Sequence, residues 1–379
     1  MKALFTTFPA YGHLLPMVPL ARAAVAAGDQ VVVAASKELH GTAGDLTMRD
    51  LGPSLPVVLA ETNNRFGEDV LGYRVDSSKL LEATVAMFTT VRADMAFDAL
   101  RALVTDERPD VIVAEMWDYV APLVARQLGI PLVTFVHSPA TAVDETLRAG
   151  LVRALTQREL TAPAPLATVQ LWPEWLESEP TAPRGEATLA IRATPHDTAE
   201  VADIPAFDGT RPVVLVTLGT VVEDLTLLNA AVRGVLDAGA DALVTTGFTV
   251  PPEAVESDPG RVRAVPFVPI GQLLDRVQAV VAAGGSGTTL AALSRGLPMA
   301  FVPRIANQPI VAAAVAGFGA GVVSGEDPAD VTSSVRTMLH EPGLRAGAQA
   351  ASERLAGRPS PDEVWSALRE RVPHTSAVR

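Results

Sequence analysis

Short, uniformly apolar blocks alternate with longer Ala-rich amphipathic stretches along most of the chain. The first block, Lys2 to Thr7 (KALFTT), runs into the loop Pro9 to Pro16 (PAYGHLLP) and then a helix ending near Gly28. A second strand, Gln30 to Ala35 (QVVVAA), follows at once. The order repeats at Val111 to Ala114 (VIVA), a helix from about Asp118 to Leu128, and Pro131 to Phe135 (PLVTF). It restarts after residue 210 with Val213 to Thr217, a helix over Leu225 to Ala238, Ala242 to Thr246, Val262 to Val265, Ala279 to Ala282 and Met299 to Val302, with another helix from Gln308. Strands apolar on both faces and separated by helices predict a parallel sheet covered on both sides.

Between these runs, Leu160 to Phe207 carries seven prolines and two tryptophans and reads as a linker with some short strands. A length of 379 residues, against about 100 to 200 per domain, agrees with two domains. The expected division is 1–205, 206–357 and a closing helix in 358–379, begun by Ser360 as cap and Pro361 in the first turn. Ligands of open α/β sheets bind beyond the carboxyl ends of the strands, so two such domains facing across a cleft make the loops after Thr7, Ala114, Val216, Val265, Ala282 and Val302 the informative ones.

Composition narrows the chemistry. With no cysteine, the chain has no disulfide, catalytic thiolate or Cys-ligated metal. A net charge of -13 with three lysines argues against a nucleic-acid partner. The longest uncharged apolar stretch, Pro309 to Val323, is about 15 residues and interrupted by glycines, short of a membrane span. Pro9, Gly12, His13 and Pro16 break up any signal-peptide-like run, so a cytoplasmic location is expected.

Three loops carry candidate chemistry. Gly284 to Thr288 (GGSGT) follows a strand and opens a helix; first-turn amides and close backbone approach suit an anion, and Ser286 and Thr288 add hydroxyls. A tight turn with a Ser/Thr cap is the plainer alternative. It is neither a P-loop, since no Lys follows, nor a nucleophile elbow. His13 stands where the first strand meets the first helix and can take a proton near neutral pH, with Glu115 or its rival Asp118 as acidic partner. Both acids could equally be helix N-terminal residues. Arg304 to Gln308 (RIANQ) offers amide groups suited to hydroxyl-rich ligands, with capping by Asn307 as the alternative. His40, His137, His196, His340 and His374 show no metal-ligand spacing, and no metal is assigned.

These positions resemble the GT-B fold glycosyltransferases that attach nucleotide-activated sugars to natural products, above all the actinobacterial enzymes of antibiotic and macrolide-type aglycones. The resemblance spans nearly the whole chain, through GHLLP from Gly12, PDVIVAEMWD from Pro109, RATP from Arg192, VTLGT from Val216, VPIGQLL from Val268, AAGGSGTTLAAL from Ala282, PRIANQ from Pro303 and RPSPDEV from Arg358. It implies two doubly wound Rossmann-like domains, the N-terminal one for the acceptor and the next for the donor. It also implies an inverting, metal-independent transfer from a dTDP- or UDP-sugar to a hydrophobic aglycone, with no cofactor. His13 is then the base and Glu115 its partner. Gly219 and Thr220 lie near donor phosphates and sugar, Val268 near the base, Gly284, Gly285, Ser286, Gly287 and Thr288 at the pyrophosphate, and Asn307 and Gln308 at the sugar hydroxyls. Tyr11, Phe66, Met87 and Phe135 are candidates to line an apolar acceptor site.

Two departures stand out. Ala283 occupies the place of a His usual before Gly284, and Asn307 that of an Asp usual before Gln308. The first weakens a phosphate site without removing its backbone donors, and the second points to a neutral deoxyhexose. They also leave open a catalytically silent relative acting as a binding or activating partner. A sugar-nucleotide epimerase on the same architecture fits less well. The expected assembly is a monomer or homodimer.

Overall fold

In the computed structural model, the described residues are 1–70, 78–141, 143–160, 165–177, 187–198, 202–220 and 224–373. Seven strands form one parallel sheet: β1 (Lys2–Thr6), β2 (Gln30–Ala35), β3 (Met48–Asp50), β4 (Val111–Glu115), β5 (Leu132–Val136), β6 (Ala167–Gln170) and β7 (Thr188–Ala190), in the order β3-β2-β1-β4-β5-β6-β7. Six more form a second: β8 (Val213–Thr217), β9 (Asp241–Thr245), β10 (Val262–Val265), β11 (Ala279–Ala282), β12 (Met299–Phe301) and β13 (Gly321–Val323), in the order β10-β9-β8-β11-β12-β13. Both are doubly wound, with the strand order reversing beside the first strand of each sheet, between β1 and β4 and between β8 and β11.

The apolar blocks became central strands because both their faces are covered. Leu4, Val32, Ile112 and Leu132 pack with Ala96, Leu100 and Val124 of the helices in the first sheet. Val214, Val216, Val244 and Val281 pack with Leu228, Val232 and Val335 in the second. β6 and β7 are the short strands foreseen in the proline-rich segment, and they complete one edge of the first sheet. The helix after β4 begins at Val120, two residues later than expected, because Met116 and Trp117 form a turn.

By their contacts the residues fall into two units: Met1–Leu171, Thr181–Ile191 and Pro359–Arg379 in one, Trp172–Pro180 and Arg192–Arg358 in the other. The passage at 191 to 192 lies inside the segment read as a linker. The helix Pro361–Arg371 belongs to the first unit and opens with a capping box: Ser360 Oγ accepts from Glu363 N at 3.2 Å, and Ser360 N donates to Glu363 Oε2 at 2.7 Å. It rests on the helix Val18–Ala26, where buried Trp365 donates Nε1–H to Asp29 Oδ2 at 2.8 Å and Arg369 Nε lies 3.2 Å from the same oxygen. Among the described residues no helix is long and apolar enough to cross a membrane.

Candidate active site

In the first unit, the parallel register aligns the carboxyl ends of neighbouring strands, with Thr6 beside Ala114 and Glu115 beside Phe135. Whatever follows β1, β4 and β5 is thereby gathered at the reversal of strand order. His13 lies in the short helix Tyr11–Leu14 after β1, and Glu115 is the last residue of β4. Though 102 positions apart, they meet: His13 Nδ1 is 2.9 Å from Glu115 Oε1.

Glu115 is saturated with donors. Oε2 receives the backbone N–H of Trp117 at 3.0 Å and lies 3.0 Å from His137 Nε2. The carboxylate side chain is wholly buried. Burial alone would push its pKa up, but the two imidazoles outweigh that and hold it far below the ordinary carboxylate range. His137 is itself buried, which pulls its pKa down against the opposing pull of Glu115. One ligand atom from each of His13, Glu115 and His137 can be chosen so that the three lie within 4.8 Å of one another, close enough for a cation to be held. Each carboxylate oxygen is, however, already matched to one imidazole nitrogen, and the set works as a hydrogen-bonded chain.

Asp118, the rival partner, does not reach His13. Its Oδ1 accepts from Val120 N at 3.1 Å and Ala121 N at 3.4 Å, so it caps the helix Val120–Leu128, and burial raises its pKa against the pull of Arg92. That is the helix N-terminal alternative of the sequence.

Aromatic rings surround His13, with centroids at 5.2 Å for Trp117, 5.4 Å for Phe8 and 6.3 Å for Phe88. Sequence reasoning named none of these three. Of the four residues it did name for an apolar wall, Tyr11 shares the short helix of His13 and donates its hydroxyl to Glu38 O at 3.0 Å. Met87 packs in the core with Phe8, Ala10 and Val91. Phe66 ends the helix Leu55–Phe66, half-buried. Phe135 is a correction: fully buried within β5, it has no surface left for a ligand.

The second unit carries the glycine turn at its own reversal point. Gly284 has φ +98°, and a Cβ there would come within 3.0 Å of Gln308 O, so both backbone conformation and close packing require glycine. Gly285 precedes the helix Ser286–Ser294, whose first i→i−4 bond is Thr289 N to Gly285 O at 2.9 Å. The amides of Ser286, Gly287 and Thr288 lie ahead of that bond and have no intrahelical acceptor. Ala283 is buried in the core with Val216 and Val302, and presents no polar group.

The third loop joins this turn. Asn307 Nδ2 donates to Ser286 Oγ at 3.1 Å rather than capping its helix. Gln308 Oε1 accepts from Arg304 N at 2.9 Å and Ile305 N at 3.0 Å, fixing the loop backbone. Arg304 pairs with Asp224 at 3.3 Å and with Glu326. Gly219 follows β8, the neighbour of β11, with φ +81°, and Thr220 comes next. Val268 is buried after β10, next to Phe267, which stacks on Phe248 at 4.2 Å; that pair too was not singled out by the sequence. A hollow of about 330 Å³ between Trp175–Glu177 and the helix Gln308–Phe318 holds none of the expected site residues.

Comparison with known proteins agrees with the fold. Residues 234–370 match the family described as erythromycin biosynthesis protein CIII-like, C-terminal domain, and residues 17–172 match the glycosyl transferase 4-like domain. The L-demethylnoviosyl transferase of Streptomyces niveus is 30% identical over 97% of each chain. The elloramycin glycosyltransferase ElmGT of Streptomyces olivaceus is 29% identical, again over 97% of each. The crystal structure of the glycosyltransferase SsfS6 of Streptomyces sp. SF2575, complexed with thymidine diphosphate, superposes with a TM-score of 0.80 at 25% identity, covering 98% of this chain and 99% of that one. These relatives are named enzymes, and nothing supports a catalytically silent role. The chain belongs to the GT-B glycosyltransferases of natural-product and antibiotic biosynthesis.

Proposed function

We propose that the protein transfers a neutral deoxysugar from a dTDP-activated donor, with UDP as the second choice, to a hydroxyl of a hydrophobic natural-product acceptor, by a single inverting displacement that needs no metal. The observation that carries this is the 2.9 Å contact of His13 Nδ1 with the buried Glu115 carboxylate. A carboxylate on Nδ1 fixes the proton there and leaves Nε2 as the basic nitrogen. Nε2 takes the acceptor proton as the acceptor oxygen attacks the anomeric carbon, and the bond from that carbon to the phosphate oxygen breaks. Attack opposite the leaving group inverts the configuration. Glu115 stabilises the imidazolium formed in that step.

The leaving nucleoside diphosphate gains charge, which the first-turn amides of Ser286, Gly287 and Thr288 can meet, together with the hydroxyls of Ser286 and Thr288. The neighbouring Gly219 and Thr220 serve the phosphates and sugar, and Val268 the base. The thymidine diphosphate in the SsfS6 complex supports the choice of nucleotide. Asn307, hydrogen-bonded to Ser286, brings an uncharged amide to the sugar end beside Gln308, which favours a neutral sugar over one bearing an ammonium group. The half-buried rings of Phe88 and Trp117 offer the acceptor an apolar surface, backed by the buried Phe8 and Met87, with Tyr11 and Phe66 as further candidates. Activated nucleotide sugars are made in the cytoplasm, where this activity belongs.

The test is release of nucleoside diphosphate from a panel of dTDP- and UDP-sugars in the presence of polyketide and aromatic acceptors. Turnover with a neutral dTDP-deoxysugar that falls at least 100-fold in His13→Ala is expected, about the contribution of a general base. Full turnover in that variant refutes His13 as the base, and preference for an aminosugar refutes the part given to Asn307.

A further inference from the structure

Glu115 has two imidazole partners, and the proposed reaction uses only one of them. His137 lies one residue beyond β5, 4% exposed, with its Nε2 3.0 Å from Glu115 Oε2. Its ring meets that of His13 at 5.2 Å and 68°, and that of Trp117 at 5.7 Å and 80°. These edge-on contacts keep the two imidazoles from stacking and turn a nitrogen of each toward the same carboxylate.

An ionised carboxylate only accepts hydrogen bonds, so His137 must carry a proton on Nε2. Were it an imidazolium, it would compete with His13 for the single negative charge and place a second cation in a buried site whenever His13 held the acceptor's proton. Burial opposes that charge more strongly than Glu115 favours it. The titratable groups facing His137 are Glu115 at the end of β4 and His13 in the helix after β1; Asp118 and Tyr119 sense the same Glu115 charge, and Arg92 sits against Asp118.

We propose that His137 is a positioning residue for the base: a neutral Nε2–H donor that ties down the second oxygen of Glu115, so that the first stays aimed at His13 Nδ1. The inference rests on His13 acting as the base. Its physical content is orientation. With the Trp117 amide and His137 on Oε2, the carboxylate cannot rotate away from His13 without abandoning two donors. With His137 removed, only the Trp117 amide resists that rotation, and His13 can carry its proton on either nitrogen. The Nε2–H form of His13 is useless as a base, because the nitrogen facing the acceptor is then already protonated.

The test needs no substrate. Long-range proton–nitrogen correlation spectra of the protein labelled with ¹⁵N-histidine distinguish the two neutral tautomers of each imidazole, and six histidines make assignment by substitution practical. In the unsubstituted protein His137 is expected as the neutral Nε2–H form and His13 as the Nδ1–H form. In His137→Phe the ratio of Nδ1–H to Nε2–H at His13 is expected to fall about 10-fold or more. His137→Gln, which keeps an N–H of similar reach, should restore it. Finding His137 protonated on Nδ1, or charged at neutral pH, overturns the proposal. So does an unchanged His13 ratio in His137→Phe, or a His137→Gln variant no better than His137→Phe. Should His137→Phe fail to fold, the tautomers of the unsubstituted protein and of His137→Gln still decide. A catalytically dead His13→Ala combined with a negative spectrum removes His137 alone, whereas an active His13→Ala removes the base itself.

Discussion

Lowering the pH should destabilise the first unit through His137, and the size of the effect follows from its surroundings. Burial drives the folded-state pKa of His137 below its ordinary 6.5. As pH falls past that value, the unfolded chain binds a proton that the folded chain refuses, so this contribution is absent above about pH 6.5 and costs stability below it. In the limit where the folded chain keeps His137 neutral down to pH 5.0, the loss reaches about 2 kcal/mol. Glu115 acts in the same direction but in a lower window. Its pKa is depressed from the ordinary 4.5, so the stability it lends is lost only as pH falls from about 4.5 toward the folded-state value. The range pH 5.0 to 7.5 therefore lies above the Glu115 window, and comparison with a variant at position 137 singles out His137. His137→Gln keeps a donor toward Glu115 and cannot titrate. Melting temperatures of the two proteins, followed by tryptophan fluorescence at both pH values, should show the unsubstituted chain losing more on acidification, by up to roughly 4–8 °C in that limit. His40, His196 and His340, outside the Glu115 cluster, are common to both proteins and cancel, and His13 keeps its Glu115 partner in both. Parallel pH profiles would refute the reasoning, because they would mean that His137 takes up its proton in the folded state.

Two further outcomes test the packing that supports the site. Trp365→Phe keeps a ring on Phe5, 6.1 Å away, but removes the indole donor to Asp29, and should cost about 1.5–3 kcal/mol in urea unfolding; a midpoint equal to that of the parent would show that Arg369 alone suffices on that carboxylate. Gly234→Ala would set a methyl 2.6 Å from Val331 Cβ where the helices Leu225–Asp237 and Pro328–His340 cross, and should destabilise by about 1–3 kcal/mol, outweighing the roughly 1 kcal/mol that alanine gains in helix propensity; a higher melting temperature would refute so close a crossing.

The central strands were legible because a strand buried on both faces must be apolar throughout, as in VIVA and VVLVT. The edge strand Met48–Asp50 (MRD) was not, since one side of it faces solvent and its sequence shows no apolar run. His13 and Glu115 were legible as a pair because one lies in the loop-to-helix turn after an apolar block and the other ends the neighbouring block, beside the reversal of strand order. The choice between Glu115 and Asp118 was not, because it turns on which carboxylate is taken up by the first amides of the following helix. His137 stood one residue beyond a recognised strand, and the rule that exposed Glu115 would have flagged it too: a polar residue at the carboxyl end of the neighbouring parallel strand. Spacing could not show it, because metal-type patterns look for ligands near in sequence, and His137 meets its carboxylate across 22 positions. The Asn307 to Ser286 bond, 21 positions apart, was hidden for the same reason.

The order in which the chain is made gives the closing helix a further consequence. Residues 359–373 belong with the first unit but are synthesised only after the whole of Arg192–Arg358. Until then the buried face of the helix Val18–Ala26 and the Asp29 carboxylate wait for Trp365 and Arg369. The unit that carries His13 is thus started before the second and completed after it. A nascent or truncated chain that stops before residue 359 would expose apolar surface in that unit, while the second could already be folded. Fusion tags and domain exchanges should therefore leave the helix Pro361–Arg371 paired with its own N-terminal half.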